Sequence, residues 1–193
     1  LVYLPETDFD MDKFLADVKA IYSKTGKCLV AVSEGIHYAD GTFVSEAKTS
    51  ATDGFGHAQL GGLAVMLADT VKQATGAKVR GIELSLLQRC GSHLASKTDV
   101  DEAWLAGSAA VEGFTDKMVA FRCTRGEDGY RCETILEPLD IVANFEKKVP
   151  REWINKEGNG MEQPFIDYVL PLIQGETEAV KKSALPRFAH LKK

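Results

Sequence analysis

The first half of the chain alternates short apolar runs with amphipathic stretches, and that alternation restricts the fold more than any other feature. Leu1–Leu4 (LVYL) is a continuous apolar run closed by Pro5-Glu6, which predicts a buried strand. Asp10 then stands where a helix N-cap belongs. Met11, Phe14, Leu15, Val18, Ile21 and Tyr22 follow at helical spacing, and Gly26 supplies a stop. Cys28–Ser33 (CLVAVS) predicts a second buried strand that runs out into Glu34-Gly35. The polar, Gly/Ser/Thr-rich stretch 37–55 predicts a surface loop. A second helix is expected over His57–Ala74, with Leu60, Leu63, Ala64, Leu67 and Val71 on one face and Gly76 at its end. Val79–Leu87 predicts a third strand, left through Gln88-Arg89-Cys90-Gly91. The order β-α-β-α-β with short connections implies parallel strands and right-handed crossovers, an α/β fold with helices flanking a parallel sheet.

The second half has a different grammar. Thr98-Asp99-Val100-Asp101 predicts the capped start of a helix running to about Gly113. Met118–Cys123 and Arg131–Leu136 flank Gly126-Glu127-Asp128-Gly129 and predict an antiparallel hairpin. If the turn centres between Glu127 and Asp128, Cys123 and Cys132 are directly opposed, with Cβ atoms about 4.5–5.5 Å apart. Residues 144–160 read as mostly irregular, Phe165–Ile173 as a last short helix, and Lys181–Lys193 as a basic tail. The parallel pattern ends near residues 90–97, which divides the chain into residues 1–89 and 90–193.

Charge narrows the choice of partners. The net charge is −5, which argues against broad nucleic-acid binding and against an anionic membrane surface. A phosphate ligand therefore needs a local cluster of Arg or Lys. No apolar run approaches the ~20 residues of a membrane span. The chain opens without Met inside an apolar run, so a truncated start is expected, and with it an exposed strand edge that favours a homo-oligomer. Cys28, Cys90, Cys123 and Cys132 form no CxxC pair, and no His cluster stands at zinc spacing. Reduced thiols and a cytoplasmic location are the expectation.

In a parallel α/β sheet, ligands bind beyond the carboxyl ends of the strands. Three expected strand ends carry polar groups: Glu6, Glu34 and Arg89. Arg80 and Arg89 lie on or beside one expected strand, and arginine presents a planar fork that suits phosphate. A carboxylate such as Glu6 accepts from sugar hydroxyls, so two arginines and a glutamate suit an anionic sugar. Each is equally readable as a solvated charge. His57, at the expected start of the second helix, is a candidate phosphate contact but reads more simply as a cap or surface residue. His37 and His93 are isolated. Asp99 and Asp101 fit the first turn of a helix better than a metal pair.

Several stretches acquire meaning as an ordered set. They are Leu4-Pro5-Glu6, Val32-Ser33-Glu34-Gly35-Ile36, Phe55-Gly56-His57-Ala58-Gln59-Leu60-Gly61-Gly62, Lys78-Val79-Arg80 and Leu87-Gln88-Arg89. His93-Leu94-Ala95-Ser96-Lys97-Thr98-Asp99, Val142-Ala143-Asn144, Val149-Pro150 and Pro171-Leu172-Ile173-Gln174-Gly175-Glu176 complete it. In this order and spacing the chain resembles the C-terminal half of 6-phosphofructokinases, nearest the bacterial group that uses pyrophosphate. The resemblance implies transfer of a phosphoryl group from pyrophosphate or ATP to the 1-hydroxyl of fructose 6-phosphate, with Mg²⁺. By position, Glu6 matches the glutamate that binds the sugar hydroxyls. Arg80 matches an arginine that grips the 6-phosphate, often across a subunit boundary, and Arg89 matches the second phosphate-binding arginine.

Two positions depart from the pattern. Leu86 stands where the family usually carries His or Tyr, and Cys90 where many members have Gly. The family's Gly-Gly-Asp donor loop and Thr-x-Asp-x-Asp catalytic motif are not in this sequence. The resemblance thus implies that this chain positions the sugar phosphate and that residues 90–193 pack toward a donor domain. No catalytic residue is assigned here, and the Mg²⁺ ligands are expected in the N-terminal half. The rival from another class is a non-catalytic sugar-phosphate-binding or regulatory module.

Overall fold

The computed structural model describes residues 1–45, 62–112, 116–178 and 180–187. The chain forms two compact units. One combines Leu1–Leu84 with Lys148–Phe165, and the other combines Ser85–Lys147 with Ile166–Lys193.

The first unit opens with strand β1, Val2–Tyr3, followed by helix α1, Met11–Thr25. Asp10 caps α1 as its spacing predicts: its side chain accepts from the Lys13 N–H at 2.8 Å. Gly26 closes the helix in the left-handed region at φ 73°. Strand β2, Ala31–Val32, pairs with β1 in parallel, with Val2 opposite Ala31 and Tyr3 opposite Val32. The α/β class and the parallel pairing stand as expected, although both strands are shorter than their apolar runs. Helix α2, Leu63–Thr75, starts later than the sequence pattern suggested, with Gly62 at φ 78° before it and Gly76 after it. His57 lies outside the described residues.

The core of this unit lies between the strand pair and the two helices. Tyr3, Phe9, Phe14, Val18, Ile36, Leu63, Leu67 and Val71 are buried together. Tyr3, Phe9 and Phe14 meet at centroid distances of 5.4–5.6 Å, and such aromatic contacts add to area burial.

The expected third strand is a correction. Ala77–Leu84 contains no regular element, and Ser85–Cys90 is a short helix, α3. Ile82, Leu84, Leu86 and Leu87 are 56–70% exposed, so no sheet receives this apolar run among the described residues. A short apolar run has no periodicity that separates strand from helix, and here the tertiary context decided.

In the second unit, helix α4 spans Lys97–Val111. Its cap is Ser96, which accepts from the Asp99 N–H at 3.2 Å, two residues before the expected cap at Thr98. The hairpin follows as expected: β3, Lys117–Gly126, pairs antiparallel with β4, Gly129–Pro138. Gly129 at φ 89° turns the chain, a conformation that suits glycine. Helix α5, Leu139–Val142, comes next, and helix α6, Gln163–Val169, begins in the last residues of the first unit and continues in the second. The latter tightens into a 3₁₀ turn over Leu170–Ile173, at Pro171. No helix among the described residues is long and apolar enough to cross a membrane.

Candidate functional site

Glu6 sits in the turn beyond the carboxyl end of β1, the place its sequence position predicts. Its two oxygens have different fates. Oε1 accepts from the backbone N–H of Val149 at 2.9 Å. Oε2 is buried and has no hydrogen-bond partner among the described residues. A buried acceptor left without a donor carries a desolvation penalty, which a ligand donor relieves. A cavity of about 410 Å³ adjoins, lined by Tyr3, Glu6, Asp10, Lys13, Arg151 and Lys156 among others.

The donor to Glu6 comes from a segment that returns from the far end of the chain. Asn155 Oδ1 accepts from the N–H groups of Asn159 and Gly160, at 3.0 and 3.2 Å, and so folds the segment into a tight loop. The Val2 N–H donates to the Asn159 carbonyl at 3.0 Å, beside β1. The Asn159 amide and the Tyr3 hydroxyl both donate to Asp17 Oδ2, at 2.7 and 3.0 Å. Burial first, then the bond to Asp17, pushes the Tyr3 phenol well above its ordinary range. The role of Val149 escaped sequence reasoning. Val149-Pro150 belonged to the ordered motif set, but a main-chain donor has no residue signature.

Two cations that line the cavity are already engaged. Lys13 Nζ bonds the Glu157 carbonyl and lies 3.7 Å from Asp17. Arg151 donates to the carbonyls of Ile154 and Asn155 at 2.8 and 3.0 Å. Arg80, by contrast, is exposed and has no hydrogen-bond or ion-pair partner among the described residues. It leaves the irregular stretch after α2, where the Gly81 backbone presses on the first turn of that helix.

Arg89 is not at a strand end. It stands in the last turn of α3, in the second unit, exposed and likewise unpaired among the described residues. This replaces the expected picture of Glu6 and Arg89 closing neighbouring strands. Leu86 precedes Arg89 by one helical turn, so the two side chains share a face, and Leu86 is 66% exposed. Glu34 is exposed at the end of β2. His37 Nδ1 lies 3.0 Å from the Tyr38 carbonyl and its own carbonyl accepts from Phe9, a structural role. Asp101 forms an ion pair with Lys97 at 2.6 Å, so it serves the helix. No cluster of three or more potential metal ligands exists among the described residues.

No family model matches the chain. The chain is 43% identical over 100% of its length to the pyrophosphate–fructose 6-phosphate 1-phosphotransferase of Halomonas elongata, of which it spans 46%. It is also 43% identical over 100% of its length to the protein of that name from Xanthomonas campestris, spanning 47%. Among solved structures, the pyrophosphate-dependent phosphofructokinase of Nitrosospira multiformis matches with a TM-score of 0.79 at 35% identity, over 98% of this chain and 44% of that one. The chain thus spans about half the length of the curated relatives it matches.

Proposed function

The chain belongs to the pyrophosphate-dependent phosphofructokinase family, and on that premise we propose that it is the sugar-phosphate-binding, C-terminal half of the enzyme. The intact protein transfers a phosphoryl group from pyrophosphate to the 1-hydroxyl of fructose 6-phosphate. The observation that carries the reading is the divided state of Glu6: one oxygen held by Val149, the other buried and unpartnered among the described residues. A carboxylate so prepared accepts from sugar hydroxyls without first breaking an internal bond, and so spends little of the binding energy on rearrangement.

Arg80 and Arg89 are proposed to grip the 6-phosphate, Arg80 across a subunit boundary of a homo-oligomer. Both guanidinium groups are exposed and have no hydrogen-bond or ion-pair partner among the described residues, which supports this assignment. Phosphoryl transfer further requires a donor cradle and a base within reach of the attacking hydroxyl. Neither is assigned to this chain. The described residues offer no fit for Mg²⁺, whose ligands are proposed to lie in the other half, and no step is routed through it. A cytoplasmic location accompanies the reading.

The test is an assay of the intact protein and of these 193 residues alone, with fructose 6-phosphate, Mg²⁺ and either pyrophosphate or ATP. The intact protein is expected to use pyrophosphate, and the chain alone to form no product. Product from the chain alone that Arg89→Ala abolishes would overturn the half-enzyme reading.

A further inference from the structure

The hairpin carries chemistry that phosphoryl transfer does not use. Cys123 on β3 and Cys132 on β4 are directly opposed in its register. Their Sγ atoms are 3.6 Å apart, and both residues are half-buried thiols. A disulfide bond is about 2.05 Å long, so a small approach of the two strands is enough to join them. The pair lies on the face of the hairpin that meets α4. Tyr130 Oη is 2.6 Å from Glu102 Oε1 on α4 and 3.3 Å from Cys123 Sγ. Arg125 covers the Tyr130 ring at 5.0 Å and the Tyr168 ring at 4.4 Å, and it donates to the Tyr168 carbonyl at 2.9 Å. These neighbours hold the two strands in the register that keeps the sulfurs together.

We infer that Cys123 and Cys132 form a reversible thiol–disulfide modification site, closed by exchange with a small-molecule disulfide such as oxidised glutathione. In the first step a cysteine thiolate attacks one sulfur of the small disulfide, and one glutathione thiolate leaves and takes up a proton. In the second step the other cysteine, as thiolate, displaces the second glutathione from the mixed disulfide. Two cysteine thiols are oxidised to one bridge, and one small disulfide is reduced to two thiols. Burial, then the bond to Cys123, pushes the Cys132 thiol up to about 11. Among the described residues, Glu102 and Tyr130 are titratable groups that face the pair.

The test uses the intact protein, incubated with oxidised glutathione at about pH 8.5, near the ordinary thiol pKa. Acid quenching, alkylation in denaturant and peptide mass mapping without reduction follow. Trypsin cuts after Arg125 and Arg131, so the bridge joins two separate peptides. The expected result is a linked pair carrying Cys123 and Cys132, unalkylated, lost on treatment with dithiothreitol. Cys123→Ser and Cys132→Ser should each abolish the linked species, and Cys132→Ser should leave glutathione on Cys123. Circular dichroism of both variants establishes that they remain folded. Recovery of Cys123 and Cys132 from the wild type as alkylated or separately glutathionylated residues would overturn the inference, as would linkage of either to Cys28 or Cys90.

Discussion

The backbone N–H of Val149 donates to Glu6 Oε1 at 2.9 Å, a bond between residues 143 positions apart in the chain. It orients a carboxylate whose other oxygen is buried without a partner among the described residues. Glu6→Ala leaves the Val149 N–H unpaired and is expected to cost about 1–3 kcal/mol of stability. Glu6→Gln keeps an acceptor for Val149 but leaves its amide nitrogen buried without an acceptor, so its loss of stability should be smaller than that of Glu6→Ala. Urea denaturation of both variants checks the ordering, and a loss in Glu6→Gln as large as in Glu6→Ala would contradict it.

Arg89→Ala in the intact enzyme is expected to raise the Michaelis constant for fructose 6-phosphate more than that for pyrophosphate. A lost charge-assisted contact costs about 1.5–3 kcal/mol, roughly tenfold or more in affinity. Steady-state kinetics with each substrate varied in turn gives the answer. Equal effects on both constants would remove Arg89 from the sugar-phosphate site.

Gly81 is a packing constraint beside Arg80. A Cβ there would fall on the Ala64 carbonyl oxygen, 2.6 Å from the Ala64 carbonyl carbon and 2.8 Å from the Val65 nitrogen. These are backbone atoms of the first turn of α2 and cannot swing aside. Gly81→Ala is expected to cost about 1–3 kcal/mol, as overpacking does. It should also displace Arg80 and weaken fructose 6-phosphate binding. Thermal denaturation and sugar-phosphate titration measure the two effects separately.

The Tyr3 phenol is pushed up by burial and by its bond to Asp17. Its protonated form is thus favoured in the folded state. The stability it contributes is full below the unfolded tyrosine pKa of about 10 and is lost as pH rises above it. Tyr3→Phe should flatten the alkaline fall in stability between about pH 9 and 11. Denaturation at both pH values compares the slopes, and an unchanged slope would show that other groups set it.

Local signals carried much of this structure. The Asp10 cap, the Gly26 stop and the Gly126–Gly129 hairpin turn each rest on residues a few positions apart, and each formed as read. The stretch around Arg80 and Arg89 failed because Ile82, Leu84, Leu86 and Leu87 fit a buried strand and a short helix alike. Only a neighbouring strand could have chosen between them. Of the three site residues, Glu6 kept its place past a strand end, whereas Arg89 moved onto a helix. The Val149 contact was not readable at all, since a main-chain donor bears no side-chain mark and its acceptor lies at the opposite end of the sequence.

The returning segment also imposes an order on biosynthesis. Val2, Glu6 and Asp17 all bond to partners within Lys148–Phe165. On a ribosome adding about 5–20 residues per second, the first unit must therefore wait many seconds after its opening strand emerges before those bonds can close. Throughout that interval Ser85–Lys147 is free to assemble its hairpin from local contacts. The hairpin is thus able to form before Glu6 gains its Val149 donor, while the start of α4 still waits for its partners Leu172 and Gly175 in Ile166–Lys193.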